Sequence, residues 1–301
     1  MTRQKPYKTM KKAIILLALG LIAGTSAQAQ TIALKPQPVT TSVPSEKHIS
    51  SSILLWVRTD KPRQAGMERW KGPHSKIISA NKGLEEYRQI HLTETNPGLW
   101  PAVNGVETSI PANRKIDGIA DVTLKNIFSI FRGKKQNKLA YADEVNLFKR
   151  TILYAALGAT SRWYAVNPTN EKTGARSVVF FRIKEGVDKK DFARFINQEL
   201  TPILANTGVL TELRPKVYMP WKQKQWDTPN VAHDNPKKVQ FQASVMLGFA
   251  NKKAMTDFFA SDAVNKLAGK LAAYTSAVHA YEIAETLTYV KDGKQLDHYQ
   301  N

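Results

Sequence analysis

The 301-residue chain contains no cysteine. Disulfides, thiolate metal centres and thiol nucleophiles are thereby excluded, so the fold has to rest on buried apolar area alone. Acidic residues are scarce too, 25 against 44 Lys and Arg, which leaves a formal charge of +19. The basic residues are scattered and no nucleic-acid motif accompanies them. Nucleic acid is therefore not an expected partner, whereas anionic small molecules, the anionic cell envelope or plain solubility each suit the charge. Gly-x-Ser-x-Gly, a phosphate-binding loop and His/Asp/Glu groups at metal-ligand spacing are all missing. Neither a bound metal nor a cofactor is expected.

The longest apolar run, residues 13–23, is too short to remain across a bilayer, so no stable membrane insertion is expected. Lys11 and Lys12 precede it and Ala27-Gln28-Ala29 follows, the layout of a secretory signal peptide over residues 1–29. The mature protein is accordingly expected in the periplasm or outside a bacterial cell, with Met1 and Met10 both open as starts. No cysteine follows the run to carry a lipid. Five basic residues and no acids lie in this segment, leaving +14 for the remainder. Residues 30–50 read as a flexible leader and 291–301 as a polar tail. The roughly 270 residues after the signal segment are enough to bury a large core.

Residues 51–92 lie over 176–217 without a gap at a constant offset of 125. Ser52-Ile53-Leu54-Leu55-Trp56-Val57 falls on Ser177-Val178-Val179-Phe180-Phe181-Arg182, and both copies close a helix with Ala-Asn-x-Gly. Each copy, 51–166 and 176–290, reads strand, helix, strand, long loop, strand, helix, strand. In the first copy these are strand 51–59, helix 64–81, strands 84–95 and 116–124, helix 140–157 and a closing strand 162–166. A βαββαβ unit puts both helices on one face of a four-stranded sheet and leaves the other face bare. First strands apolar on both faces imply that the two bare faces meet within one chain. The expected fold is α+β, two tandem ferredoxin-like units forming an intrachain α+β barrel.

Four stretches of the first copy, in order, carry a family resemblance. They are Glu68-Arg69-Trp70-Lys71-Gly72-Pro73-His74, Tyr87-Arg88-Gln89-Ile90-His91, Asp117-Gly118-Ile119-Ala120-Asp121-Val122 and Ala142-Asp143-Glu144-Val145-Asn146-Leu147-Phe148. Together they resemble the EthD-like branch of the dimeric α+β barrel superfamily. The resemblance implies a cofactor-free enzyme acting on a hydrophobic carbonyl compound as a lyase or isomerase. It equally accommodates a non-catalytic carrier, since many members have no known activity.

Strand alternation puts Tyr87, Gln89 and His91 on one face of the second strand, and Asp117 and Asp121 on one face of the third. His91 is therefore expected to meet Asp117 or Asp121 across the sheet and to act as general acid or base. A solvated strand end is the alternative. Pro73 interrupts the first helix, so Trp70 and His74 either turn toward the barrel mouth or leave His74 exposed. The expected catalytic set is His91, Asp121, His74 and Tyr87, with Trp70, Gln89 and Asp117 binding a small molecule between the sheets. Lys216 and Glu199 replace His91 and His74 in the second copy, so the site is expected in the first. Asp117-Gly118 also matches part of a Gly-x-x-Asp-Gly haem-protein pattern, which makes a haem barrel a further alternative. Trp100, Trp221 and Trp226 are expected to roof a pocket or to pack between two copies of the chain.

Overall fold

The structure, a computed structural model, describes residues 35–300. The expected signal peptide and its cleavage point lie outside the described residues. Strand β1 (Ser45–Lys47) leads into β2 (Ile49–Val57), and helix α1 (Arg63–Arg69) runs through a π-helical turn, Trp70–His74, into α2 (Ser75–Ser79). Then follow β3 (Leu84–Leu92), β4 (Gly118–Leu124), α3 (Ser129–Arg132), α4 (Lys134–Glu144), β5 (Phe148–Ala156) and the short β6 (Arg162–Tyr164). The second half opens with β7 (Ala175–Ile183) and α5 (Lys189–Arg194), passes a second π-helical turn, Phe195–Leu200, and continues as α6 (Thr201–Ala205), β8 (Glu212–Val217) and β9 (Ala243–Phe249). It ends with α7 (Lys252–Phe259), α8 (Asp262–Asn265), α9 (Ala268–Tyr274), β10 (Thr275–Lys291) and β11 (Lys294–Gln300).

All eleven strands join one antiparallel sheet in the order β1-β6-β8-β9-β7-β10-β3-β4-β2-β5, with β11 beside β10. Within it, β5-β2-β4-β3 and β10-β7-β9-β8 have the same internal order. Long β10 couples them, its first part paired with β7 and its last part with β3. On the other side Met219 N donates to the Ala155 carbonyl at 2.8 Å and Val217 N to the Thr160 carbonyl at 2.7 Å, which brings the two ends of the sheet together as an α+β barrel.

Side-chain parity explains why the first strands are apolar throughout. In β2, Leu54 and Trp56 point into the barrel while Ile53, Leu55 and Val57 lie under the helices. In β7, Val178 and Phe180 point inward and Val179 and Phe181 outward to the helices. Both faces are dry, as continuous apolar strands require.

Four sequence expectations are corrected. The first strands of the two halves match at an offset of 126 and not 125, since Ile53 and Leu55 lie under the helices as Val179 and Phe181 do, while Val178 and Phe180 point into the barrel. The helix expected over 140–157 ends at Glu144, and Phe148–Ala156 is β5. Its Ile152 and Tyr154 face the barrel and Leu153 the helices, so burial on both sides imitates helical spacing. The polar tail is strand β11, folded back by Asp292 and Gly293 at φ 51° and 72°, an Asp-Gly hairpin. The flexible leader is packed from Lys35 onward: Lys35 pairs with Asp191, Val39 N donates to the Gln198 carbonyl, and β1 pairs with β6. No helix among the described residues is long and apolar enough to cross a membrane.

Candidate functional site

The barrel interior is not the binding space. Arg88 bridges Glu86, Asp121 and Glu212; Lys216 pairs with Asp121 and donates to Ser52 Oγ; Arg214 joins Glu86 to Glu212. Around this network the lumen retains a cavity of about 10 Å³, room for about one water molecule. Burial alone would raise both carboxyls, yet Lys216, Arg88 and Arg214 hold Asp121, and Arg88, Arg214 and Arg176 hold Glu212, below the ordinary range. Binding between the sheets, expected from the sequence, is thereby corrected.

A cavity of about 540 Å³ lies instead between the sheet of the first half and its helices. Ile53 and Leu55 of β2, Ala120, Val122 and Leu124 of β4, and Leu153 of β5 form its floor, and Ile127, Ile130, Leu157 and Met219 also line it. Polar groups are the minority: Ser50, Ser51, His74, Asn81, Tyr87, Ser129, Asn137, Glu144 and Gln225. No lysine or arginine lines it. Such walls suit a neutral, largely apolar molecule fixed by a few hydrogen bonds.

The π-helical turn supplies two of the site residues. Pro73, which has no N–H to give, lies inside this turn without breaking the helix; the same turn over Phe195–Leu200 has no proline, so the widening belongs to the fold of each half, a local form common at functional sites. Trp70 and His74 then face the sheet and are almost fully buried, not at the barrel mouth. Trp70 lies so close to β4 that a Cβ on Gly118 would come within 2.3 Å of its ring. His74 Nδ1 is 3.0 Å from Asp143 Oδ2, which leaves Nε2 as the ring nitrogen available to the cavity. The Asp143 carboxyl is held below its usual range by hydrogen bonds from His74 and Arg69. A carboxylate on Nδ1 fixes the ring and supports proton transfer at Nε2.

The adjacent Glu144 also faces the cavity. Burial pushes its carboxyl up to about 7, against hydrogen bonds from Thr228 Oγ1 and Trp226 Nε1 that favour the charged form. Trp226 thus roofs the cavity and holds Glu144 in place. Trp100 packs in the core of the second half against Phe181 and Phe259, and half-buried Trp221 packs against the barrel-interior cluster.

Other expected site residues are placed elsewhere. Register pairs His91 with Gly118 and Arg88 with Asp121, so His91 and Asp121 lie on opposite faces of the sheet and cannot form a dyad. His91 stacks on Trp70 at 4.5 Å, and burial beside Lys71 and Arg63 pushes its imidazole down to about 3. It is neutral at physiological pH and does not line the cavity. Its Nε2 lies 3.1 Å from Gln89 Oε1, and Gln89 Nε2 donates to the Tyr87 hydroxyl at 2.9 Å and to the Trp70 carbonyl. Gln89 and His91 therefore brace Trp70 and Tyr87 from behind. Asp117 accepts from Arg63 Nε at 2.7 Å and Val57 N at 3.0 Å, a clamp on the strand ends.

The haem alternative fits poorly. His74 with its carboxylate has the form of an axial ligand. Yet Asp117 is committed to Arg63, Gly118 to Trp70, and no cation lines the cavity to pair with haem carboxylates. Among the described residues no group of three His, Cys, Asp or Glu could hold a metal ion.

No protein-family model matches the chain, and no curated protein matches it in sequence. Solved structures do resemble it. An anthrone oxidase-like protein superposes with a TM-score of 0.51 at 10% identity, covering 84% of this chain and 98% of that one. A Lactobacillus acidophilus NCFM protein assigned as a monooxygenase gives 0.47 at 9%, over 84% and 100%. A mutant chlorite dismutase from Candidatus Nitrospira defluvii, complexed with cyanide, gives 0.43 at 7%, over 80% and 92%. The first shows a shared fold across both halves and nothing of activity; the other two are too distant to add to it.

Proposed function

We propose that this is an exported protein of the EthD-like branch, built from two tandem ferredoxin-like units. In this reading the first unit takes up a small neutral carbonyl compound and moves a proton on it without a cofactor. The observation that carries the reading is the convergence of Asp143-supported His74 and of Glu144, poised near neutrality, on one apolar cavity. The Glu144 carboxylate accepts the proton from the carbon next to the carbonyl, and the electron pair moves onto the carbonyl oxygen. His74, holding a proton on each ring nitrogen in this step, donates from Nδ1 to Asp143 and from Nε2 to that oxygen, and Tyr87 and Asn81 orient the molecule. In a β,γ-unsaturated carbonyl compound the same dienolate takes the proton back at the γ-carbon as the double bond moves into conjugation, which completes an isomerisation; in a saturated one it returns to the α-carbon and the step is exchange. The anionic ligand considered from overall charge is not favoured, because the cavity has no cation to meet it.

Anthrone and related neutral tricyclic ketones are suitable probes. Trp70 and Trp226 line the cavity, so binding should quench intrinsic fluorescence, and exchange of the acidic carbon-bound proton in heavy water reports catalysis. His74→Ala and Glu144→Gln should each slow exchange by about a hundredfold or more, the usual scale of general acid and base contributions. Saturable binding with no enzyme-dependent exchange would select the carrier reading instead, and absence of binding across the panel would overturn both. Export is checked separately by the mass of the protein recovered from its host.

A further inference from the structure

The rim of the cavity carries an unusual surface. Between β4 and α4 the chain reads Lys125-Asn126-Ile127-Phe128-Ser129-Ile130-Phe131-Arg132-Gly133-Lys134-Lys135, and no acidic residue occurs from Lys125 until Asp143. Phe128 is 71% exposed and Phe131 65%. Two large aromatic side chains this open to water are uncommon on a protein whose other phenylalanines are almost all buried. Ile127 and Ile130, from the same segment, and Leu157 and Met219 are exposed as well and line the cavity, so this segment borders the cavity mouth. Arg132, Lys134, Lys135 and Lys138 fringe it, all exposed, and Lys134 sits over the Phe131 ring at 5.7 Å.

We infer that this rim docks on an anionic lipid bilayer, so that the cavity opens toward the membrane and exchanges its apolar ligand with the lipid phase. Two arguments point to a membrane rather than a second protein copy. The patch combines protruding Phe and Ile side chains with an unbroken basic fringe, the composition that seats a short segment at the headgroup level of anionic membranes. A second copy would set the same uncompensated positive charge against itself. Export would place the protein beside such a surface. The inference holds whether the cavity is catalytic or a carrier's pocket, because docking involves the rim and not His74 or Glu144.

The absence of cysteine supplies a clean test. Phe128→Cys in the full chain gives a single thiol for a polarity-sensitive fluorophore, and Val209→Cys, exposed on the second half, gives the control. Vesicles of phosphatidylethanolamine with phosphatidylglycerol should blue-shift and brighten the label at 128 and leave that at 209 unchanged, whereas pure phosphatidylcholine vesicles should have little effect. Adding Lys134→Glu and Lys135→Glu should raise the lipid concentration for half-maximal response by at least about twentyfold, from roughly fivefold per lysine lost. Both positions are exposed, so circular dichroism should report an unchanged fold. No response at 128, an equal response at 209, or indifference to the lysine changes would overturn the proposal. So would a blue shift without lipid that grows with protein concentration, which would assign the patch to self-association.

Discussion

The two halves share strand order, helix placement and a π-helical turn at the same point, yet one is hollow beneath its helices and the other is solid. In β9 the residues under the helices are Val245, Leu247 and Phe249; the residues at the matching register of β4 are Ala120, Val122 and Leu124, each smaller. The second half packs Phe195, Phe258, Phe259 and Trp100 into the corresponding space, whereas Phe128 and Phe131 of the first half stand in solvent. The link between helices differs in kind as well. His74–Asp143 is an imidazole–carboxylate contact, while Lys270–Glu199 joins a lysine to a carboxylate. One half is packed throughout, and the other leaves a cavity between its helices and its sheet.

The comparison breaks most severely where the halves are joined. Asp121 of β4 and Lys216 of β8 face each other in the lumen with almost no solvent exposure. Burial lowers the affinity of the Lys216 ammonium for its proton, and Asp121 opposes that. Asp121→Ala should therefore cost about 3–5 kcal/mol by stranding a buried cation, read as a lower urea midpoint. Combining it with Lys216→Met should recover most of the loss. A single variant within about 1 kcal/mol of the parent would mean that the halves cohere through apolar contacts alone.

How much of this was legible depends on which interactions fix a feature. Burial of β2 and β7 on both faces was readable, because local composition records it. The proposed pairing of His91 with Asp121 failed for a specific reason. Parity within each strand was right, but the register between β3 and β4 is set across the long loop joining them, and slipping one residue exchanges the faces. Asp143 and Glu144 stood in a quoted motif without receiving a role. Two adjacent carboxylates in the last turn of α4, where the helix dipole favours cations and no basic residue is present, were the signal available. The cavity itself was not legible, since it arises from small differences in side-chain volume between halves whose alignment had to be seen in three dimensions.

Glu144 sharpens the contrast through pH. Its carboxyl has an ordinary value of 4.5 in the unfolded chain and about 7 in the fold. Between those values the native state holds a proton that the unfolded state has released, so this residue lowers stability as pH rises, reaching roughly 3 kcal/mol above pH 7. Glu144→Gln should consequently stabilise the protein by about that amount at pH 8 and by little at pH 4, measured by urea unfolding at both. Gln keeps an acceptor for Thr228 and Trp226. The same variant should be inactive if the proposed chemistry is right, so greater stability would accompany lost function. A pH-independent difference would show that Glu144 titrates alike in the folded and unfolded chain and is not a base poised near neutrality.

The smallest effect comes from making the first half resemble the second. Ala120 sits on the cavity floor, directly across from Ile53, where β9 places Val245 across from Val179. Ala120→Leu adds three carbons to existing empty space without displacing a packed neighbour, and filling of this kind commonly contributes about 1–2 kcal/mol. The expected outcome is a melting temperature a few degrees higher with quenching by tricyclic ketones lost. Such a result would mean that the void is maintained against a packing gain, as a ligand site would be. Destabilisation with ligand binding intact would mean instead that the floor at Ala120 is already closed by the helices above it and that the ligand-holding part of the cavity lies nearer the rim at Ile127 and Met219.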